Sequence, residues 1–172
     1  MFARVRDDVA AMRSRDPAAT SDLEVLLCYP GLHAVWLHVF LAAPLYRAWP
    51  LAGRVASNLA RWLTGVEIHP GADLGRRVTI DHGAGVVIGE TARVGDDVHM
   101  YHGVTLGGDD PRPVKRHPTV REGATLGANA TLLGDIEIGE GATVGAASVV
   151  TRDVPAGATV AGNPAQRIED AE

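Results

Sequence analysis

His82 stands in the string Ile80-Asp-His-Gly-Ala-Gly, and Glu67 opens the string Glu67-Ile-His-Pro-Gly. An imidazole with a carboxylate in reach is a general base with an orienting partner, able to take the proton of a hydroxyl as that hydroxyl attacks an electrophile. A corner histidine on a regular fold is also a common solvated surface residue, so the elements that carry the two side chains decide between the readings. Seven histidines are present, and His82, His99, His102 and His117 together invite a metal-centre reading. Cys28 is the only cysteine, which excludes an intrachain disulfide and a thiolate metal cluster.

From Ile68 the chain follows a six-residue repeat that places these side chains. Ile68, Leu74 and Ile80 are evenly spaced, as are Ile88, Val94, Met100 and Leu106, and then Val120, Leu126, Leu132, Ile138, Val144 and Val150. Such a period fits one short parallel strand per unit, three strands to a coil, with the aliphatic turned inward and a small or β-branched residue four places on at the narrowing corner. Gly71, Gly75, Gly95, Gly127, Gly139 and Gly145 are expected to relax the turns. A sandwich, with longer and less regular spacing between turns, does not hold this phase.

Two interruptions break the count: the coil lengthens by two residues at Gly83-Ala-Gly, and the polar stretch Gly107 to Thr119 is too long for a repeat and loops out. Breaks in a solenoid are where function tends to sit. Phase counting stacks Ile80 on Met100 and His82 near His102. It also puts Glu67 at the corner that His82 enters one coil later.

The preceding segment, residues 1–66, reads as helical. Val5, Val9 and Met12 share one face, and Ser21 with Glu24 matches a capping box. Asp16-Pro17 reads as an N-cap followed by the first helical position. The uncharged run from Val25 to Ala43 is broken by Pro30 and Gly31 and holds His33 and His38, so buried helices are expected rather than a membrane span. The first 22 residues carry many charges and no apolar core of a signal peptide, and a cytoplasmic protein is expected. With 16 basic and 21 acidic residues the net charge is -5, so the basic excess needed for binding nucleic acid is lacking. The size suits one domain with a helical annex: 1–66 helical, 67–165 repeat with the loop 107–119, and 166–172 a short tail.

Residues 14–165 resemble serine O-acetyltransferases, hexapeptide-repeat enzymes that make O-acetyl-L-serine from L-serine and acetyl-CoA on the route to cysteine. The resemblance is carried by RDPA from Arg15, LEVLLCYPGLHA from Leu23, EIHPGA from Glu67, IDHGAGVVIGETA from Ile80, GVTLGG from Gly103, KRHPTVREG from Lys115 and AGNPA from Ala161. It implies an N-terminal helical segment followed by a left-handed parallel β-helix assembled as a trimeric prism; periodicity alone does not give the hand. It also implies that His82 is the general base and Glu67 its orienting acid. Asp16 and Asp81 would grip the serine ammonium group, and Arg116 with His117 its carboxylate. For Asp16 the capping role stays open beside this one. Gly108, Ala128 and Ala146 would line the acetyl-CoA groove between two prisms. Lys115 could neighbour the phosphates, although a solvated loop charge accounts for it more simply. No metal is required by this chemistry.

The resemblance further implies a trimer as the minimum unit, with a hexamer of trimers open, and L-cysteine as a competing feedback inhibitor. Val39, Ala42 and Ala43 replace residues usual in the family, which puts helix packing there in doubt. The chain begins near RDPA and ends soon after AGNPA, so the short form is expected, without a stable cysteine synthase complex. Rival readings are a hexapeptide acetyltransferase for homoserine, phosphoserine or a sugar, a γ-type carbonic anhydrase, and an inactive scaffold.

Overall fold

The computed structural model describes residues 1–168. Five α-helices come first: α1 (Phe2–Arg15), α2 (Asp22–Cys28), α3 (Pro30–Leu37), α4 (Ala43–Ala48) and α5 (Pro50–Thr64), with a π-helical stretch His38–Ala42 between α3 and α4. Val9 and Met12 of α1 are buried with Val25 and Leu32, as the spacing requires, and Val5 packs beside them. Ser21 caps α2 by accepting the Glu24 N–H, while the Glu24 carboxylate reaches past the cap to the N–H and hydroxyl of Thr20. No single helix is long and apolar enough to cross a membrane; α2 and the run Pro30–Ala48 pass on length and composition only as a pair bent by 68°.

Gly65, in the left-handed region at φ 75°, ends α5, and short strands then run β1 (Glu67–Ile68), β2 (Asp73–Leu74), β3 (Thr79–Ile80), β4 (Val87–Ile88), β5 (Arg93–Val94), β6 (His99–Met100), β7 (Thr105–Gly107), β8 (Thr119–Val120), β9 (Thr125–Leu126), β10 (Thr131–Leu133), β11 (Glu137–Ile138), β12 (Thr143–Val144), β13 (Val149–Val150), β14 (Thr159–Gly162) and β15 (Ala165–Arg167). Every third strand pairs in parallel up to β13, and β14 then follows β12 because Val154 makes only a single bridge to Ile138; the three faces are β1-β4-β7-β10-β13, β2-β5-β8-β11 and β3-β6-β9-β12-β14. The register is the one phase counting requires, with Ile80 on Met100, Ile68 on Ile88 and Leu74 on Val94. These aliphatics form one buried column per face. The stretch set apart as a tail from residue 166 begins inside β15, which folds back antiparallel on β14; residues 169–172 of that tail lie outside the described residues.

Two details of the repeat differ from the sequence reading. In the lengthened coil the inward corner position is taken by Val86, two places before Ile88, and Ala84 is exposed. The glycines ahead of the corners serve close approach: a Cβ at Gly75, Gly127 or Gly139 would lie 2.3–2.8 Å from backbone atoms of the next coil. Left-handed backbone falls elsewhere, as at Arg77, His82, Asp97, Asn129 and Ala147.

Polar anchors fix the helical annex on the prism. Asp8, fully buried, accepts from Arg77 N–H at 3.0 Å and from the Trp36 indole at 3.0 Å. Arg15 donates to the Arg77 carbonyl, the Thr79 hydroxyl and the Asp97 carbonyl. Ser57 of α5 donates to the Ile68 carbonyl at 2.6 Å. Burying such groups is tolerable only because each is hydrogen-bonded.

Candidate active site

Two corners of the prism carry the chemistry-bearing residues. The histidine corner, between the β3 face and the β1 face, holds residues 81–86, 101–104, 127–130 and 145–148 in successive coils. The loop corner, between the β1 face and the β2 face, holds 69–72, 89–92 and the excursion 108–118.

At the histidine corner His82 sits at φ 59°, a left-handed position set by the two-residue insertion, and its side chain is 71% exposed. Its Nε2 lies 3.6 Å from Asp81 Oδ2, and Asp81 Oδ1 accepts the His82 N–H at 2.9 Å. The ring meets His102 edge-on with centroids 5.7 Å apart, as the stacking of coils requires. His102 Nδ1 is buried and has no hydrogen-bond partner among the described residues. Glu67 stands at the start of β1, but its carboxylate pairs with Arg61 of α5 at 2.9 Å, so the acid nearest His82 is Asp81. Sequence spacing could not show this, because Arg61 arrives from outside the repeat.

Asp16 comes to the same corner. It is the C-cap of α1 rather than an N-cap, with extended backbone, and Pro17 lies in the turn that follows. Its Oδ1 accepts from Ala18 N–H at 2.8 Å and its Oδ2 from the Tyr29 hydroxyl at 2.5 Å. The Tyr29 bond, then the Ala18 bond and the nearby His82 hold the Asp16 carboxyl below the usual carboxylate range, and Asp16 pushes the Tyr29 phenol up to about 12. Tyr29 escaped the sequence reading, since its partner depends on how α2 and α3 fold back.

At the loop corner His117 is 7% exposed. Thr91 N–H donates to its Nδ1 at 3.2 Å, which leaves Nε2 to carry the proton of the neutral ring. The Thr91 hydroxyl lies 2.8 Å from the same Nδ1 and accepts the N–H groups of Arg116 and His117. Burial, and then the neighbouring Arg116, lower the His117 pKa. Arg116 pairs with Glu90 at 3.0 Å and donates to the Arg112 carbonyl. Gly89 makes room for the ring, since a Cβ there would fall 2.0 Å from His117 Cδ2. Thr91 and Glu90, in the string GETA, are further residues that the sequence reading left without a role.

One chain therefore brings Asp16, Asp81, His82 and His102 together, and separately Arg116, His117 and Gly108. No hydrogen bond or ion pair joins the two sets among the described residues. Ala128 and Ala146 continue the histidine corner away from the helices, with Ala128 half-buried and Ala146 exposed. Gly108 offers bare backbone beside the His117 ring, 3.2 Å from where its Cβ would be. Lys115 donates to the His117 carbonyl and pairs with Asp135 at 3.0 Å, so it is a tethered charge rather than a free one. His99 bonds the Thr79 hydroxyl and meets the Tyr101 ring edge-on, with centroids 4.7 Å apart. Among the described residues no group of three His, Cys, Asp or Glu side chains is placed to hold a metal ion.

A parallel β-helix of six-residue repeats, lengthened by two residues beside a corner histidine and broken by one long loop, is the architecture expected of a hexapeptide transferase. Residues 117–152 match the family model "Bacterial transferase hexapeptide (six repeats)". The chain is 52% identical over 168 residues to the serine acetyltransferase of Mycobacterium tuberculosis, covering 98% of this chain and 73% of that protein. It superimposes on the serine acetyltransferase of Vibrio cholerae with TM-score 0.93 at 41% identity, covering 96% of this chain and 64% of that one, so it spans somewhat under two thirds of that protein's length. Similar structures include the Neisseria gonorrhoeae enzyme in complex with serine (TM-score 0.93, 39% identity, 98% of this chain and 69% of that one) and the Brucella abortus enzyme in complex with coenzyme A (0.94, 38%, 99% and 68%). A further serine acetyltransferase is in complex with cysteine (0.95, 38%, 98% and 70%). The chain belongs to the serine acetyltransferase family, and its prism is a left-handed parallel β-helix.

Proposed function

We propose that this chain transfers the acetyl group of acetyl-CoA to the hydroxyl of L-serine, giving O-acetyl-L-serine and CoA for cysteine biosynthesis in the cytoplasm. The observation that carries the reading is the division of charge between the two corners. Asp16 and Asp81 flank the exposed His82, while Arg116 and His117 form a cationic and N–H-donating pair. An amino-acid zwitterion needs both, with carboxylates for its ammonium and a guanidinium for its carboxylate.

Because one chain keeps the two sets at different corners, the active unit is a trimer in which the loop corner of one copy meets the histidine corner of the next. Gly108 then faces Ala128 and Ala146 across the same seam, and these small residues leave room for the pantetheine arm of acetyl-CoA. In the reaction His82 takes the serine hydroxyl proton as that oxygen bonds to the thioester carbonyl carbon. Collapse of the tetrahedral intermediate breaks the carbon–sulfur bond, and the proton passes from His82 to the leaving CoA sulfur. Membership of the family, rather than a contact within one chain, assigns Glu67 as the acid that orients His82, since its carboxylate is paired with Arg61 here. Asp81 serves the ammonium group.

Among rival acceptors, a sugar has no use for the charged pair, and phosphoserine would call for spare cations. Arg112 is held by Asp110, Lys115 by Asp135 and Arg121 by Glu137, which supports serine over its phosphate ester. L-Cysteine presents the same ammonium and carboxylate as serine and is read as a competitive inhibitor.

The test is release of free CoA from acetyl-CoA with L-serine, run beside His82→Ala. Serine-dependent turnover that drops about 10³-fold in kcat in the variant is expected. Turnover that survives the substitution, or turnover with a galactoside and none with serine, would overturn the reading.

A further inference from the structure

Tyr29 lies between α2 and α3 and is packed among the buried side chains of the helical annex. Two residues on, Gly31 is pressed against the prism: a Cβ there would lie 2.0 Å from the Ile80 carbonyl oxygen, immediately before Asp81 and His82. Gly83 faces the same segment, its own Cβ position falling 3.6 Å from Gly31 Cα. The phenol is thus carried on backbone that is wedged onto the histidine corner. From there its hydroxyl donates to Asp16 Oδ2 at 2.5 Å.

Asp16 has little else to hold it. It ends α1 in extended backbone, and its other oxygen only closes a local turn with Ala18 N–H. Arg15 pins the helix end to Arg77, Thr79 and Asp97 but does not touch the carboxylate. Each carboxylate oxygen has two lone-pair directions, so one on each stays open to a ligand after these bonds are made. The Tyr29 bond fixes which way the open directions point.

We propose that Tyr29 is a positioning residue for the acceptor amino acid, its hydroxyl orienting Asp16 so that the carboxylate meets the substrate ammonium group. The inference rests on the proposed serine acetyltransferase reaction and deepens it. Loss of a hydrogen bond to a charged group that binds the substrate weakens that binding about tenfold. The loss falls on every ligand with the same ammonium group, whatever its side chain, and not on acetyl-CoA.

The experiment compares wild type, Tyr29→Phe, Asp16→Ala and the double variant by steady-state kinetics. The expected result for Tyr29→Phe is a KM for L-serine raised about tenfold and a Ki for L-cysteine raised by the same factor, with kcat and the KM for acetyl-CoA unchanged. In the Asp16→Ala background, Tyr29→Phe adds nothing, because its target is gone. An unchanged KM for serine in Tyr29→Phe overturns the proposal. So does an equal effect in the Asp16→Ala background, or a loss that moves kcat and the acetyl-CoA KM together, which is the signature of a structural role. Wild-type protein that turns over acetyl-CoA with serine while Tyr29→Phe behaves identically overturns this inference alone; wild type inactive with serine overturns the underlying reading and this one with it.

Discussion

The two chemistry-bearing corners are built on opposite principles. At the loop corner the two recognition side chains are held: His117 is buried, its tautomer is set by Thr91, and Arg116 is held by Glu90 and a backbone carbonyl. At the histidine corner the imidazole of His82 is 71% exposed and its nearest carboxylate stands 3.6 Å away. A residue that must recognise a fixed carboxylate gains from being locked before the ligand arrives. A base must exchange its proton twice per cycle, and in the proposed reaction His82 stays free until a neighbouring copy and the substrates cover it. Within one chain the histidine corner is the more open of the two.

This contrast can be broken from the locked side. Arg116→Ala removes the guanidinium and leaves Glu90 without its partner; the KM for L-serine should rise about 100-fold with a much smaller change in kcat, read from steady-state kinetics. Thr91→Val removes the hydroxyl that organises Arg116 and His117 but keeps the backbone donor, and a rise in the serine KM of about tenfold is expected. On the open side, Glu67→Gln tests the orienting acid: kcat should fall about tenfold while the serine KM holds, and an unchanged kcat would hand the orienting role to Asp81.

The last expected effect concerns the stability of the helical annex rather than catalysis. His38 is buried, its Nε2 paired with the Ala72 carbonyl and its Nδ1 without a partner among the described residues, and burial lowers its pKa from 6.5 to about 4. Below pH 6.5 the unfolded chain takes up a proton at this ring that the folded one refuses until about pH 4, so stability is lost as pH falls through that window. His69, His99 and His117 are lowered by burial in the same direction and add to the wild-type slope. Denaturant melts between pH 7 and 4 should show a shallower decline for His38→Gln than for wild type; identical slopes would contradict this assignment.

The prism was legible in the sequence because a six-residue phase fixes face, register and stacking at once. Ile80 on Met100 and His82 beside His102 follow from counting alone. The corners were legible as positions but not as environments. Thr91 reaches His117 across the loop, and Tyr29 and Arg61 reach Asp16 and Glu67 from helices whose placement the repeat does not dictate. The separation of Arg116 and His117 from His82 does follow from the phase, since the two strings leave different faces. In the coiled structure the two sets stand at different corners of one chain, which is what supports the proposal that a neighbouring copy completes the site.

The central claim is that the site is completed between copies. His82→Ala and Arg116→Ala are unfolded together, refolded at equal ratio and assayed with acetyl-CoA and with L-serine well below its wild-type KM, where each variant alone has low activity. Random trimers pair an intact histidine corner with an intact neighbouring loop corner at about a quarter of the sites, so activity near a quarter of wild type is expected. No recovery, from mixed trimers shown to have formed, would mean that both corners act within one chain and would contradict the account.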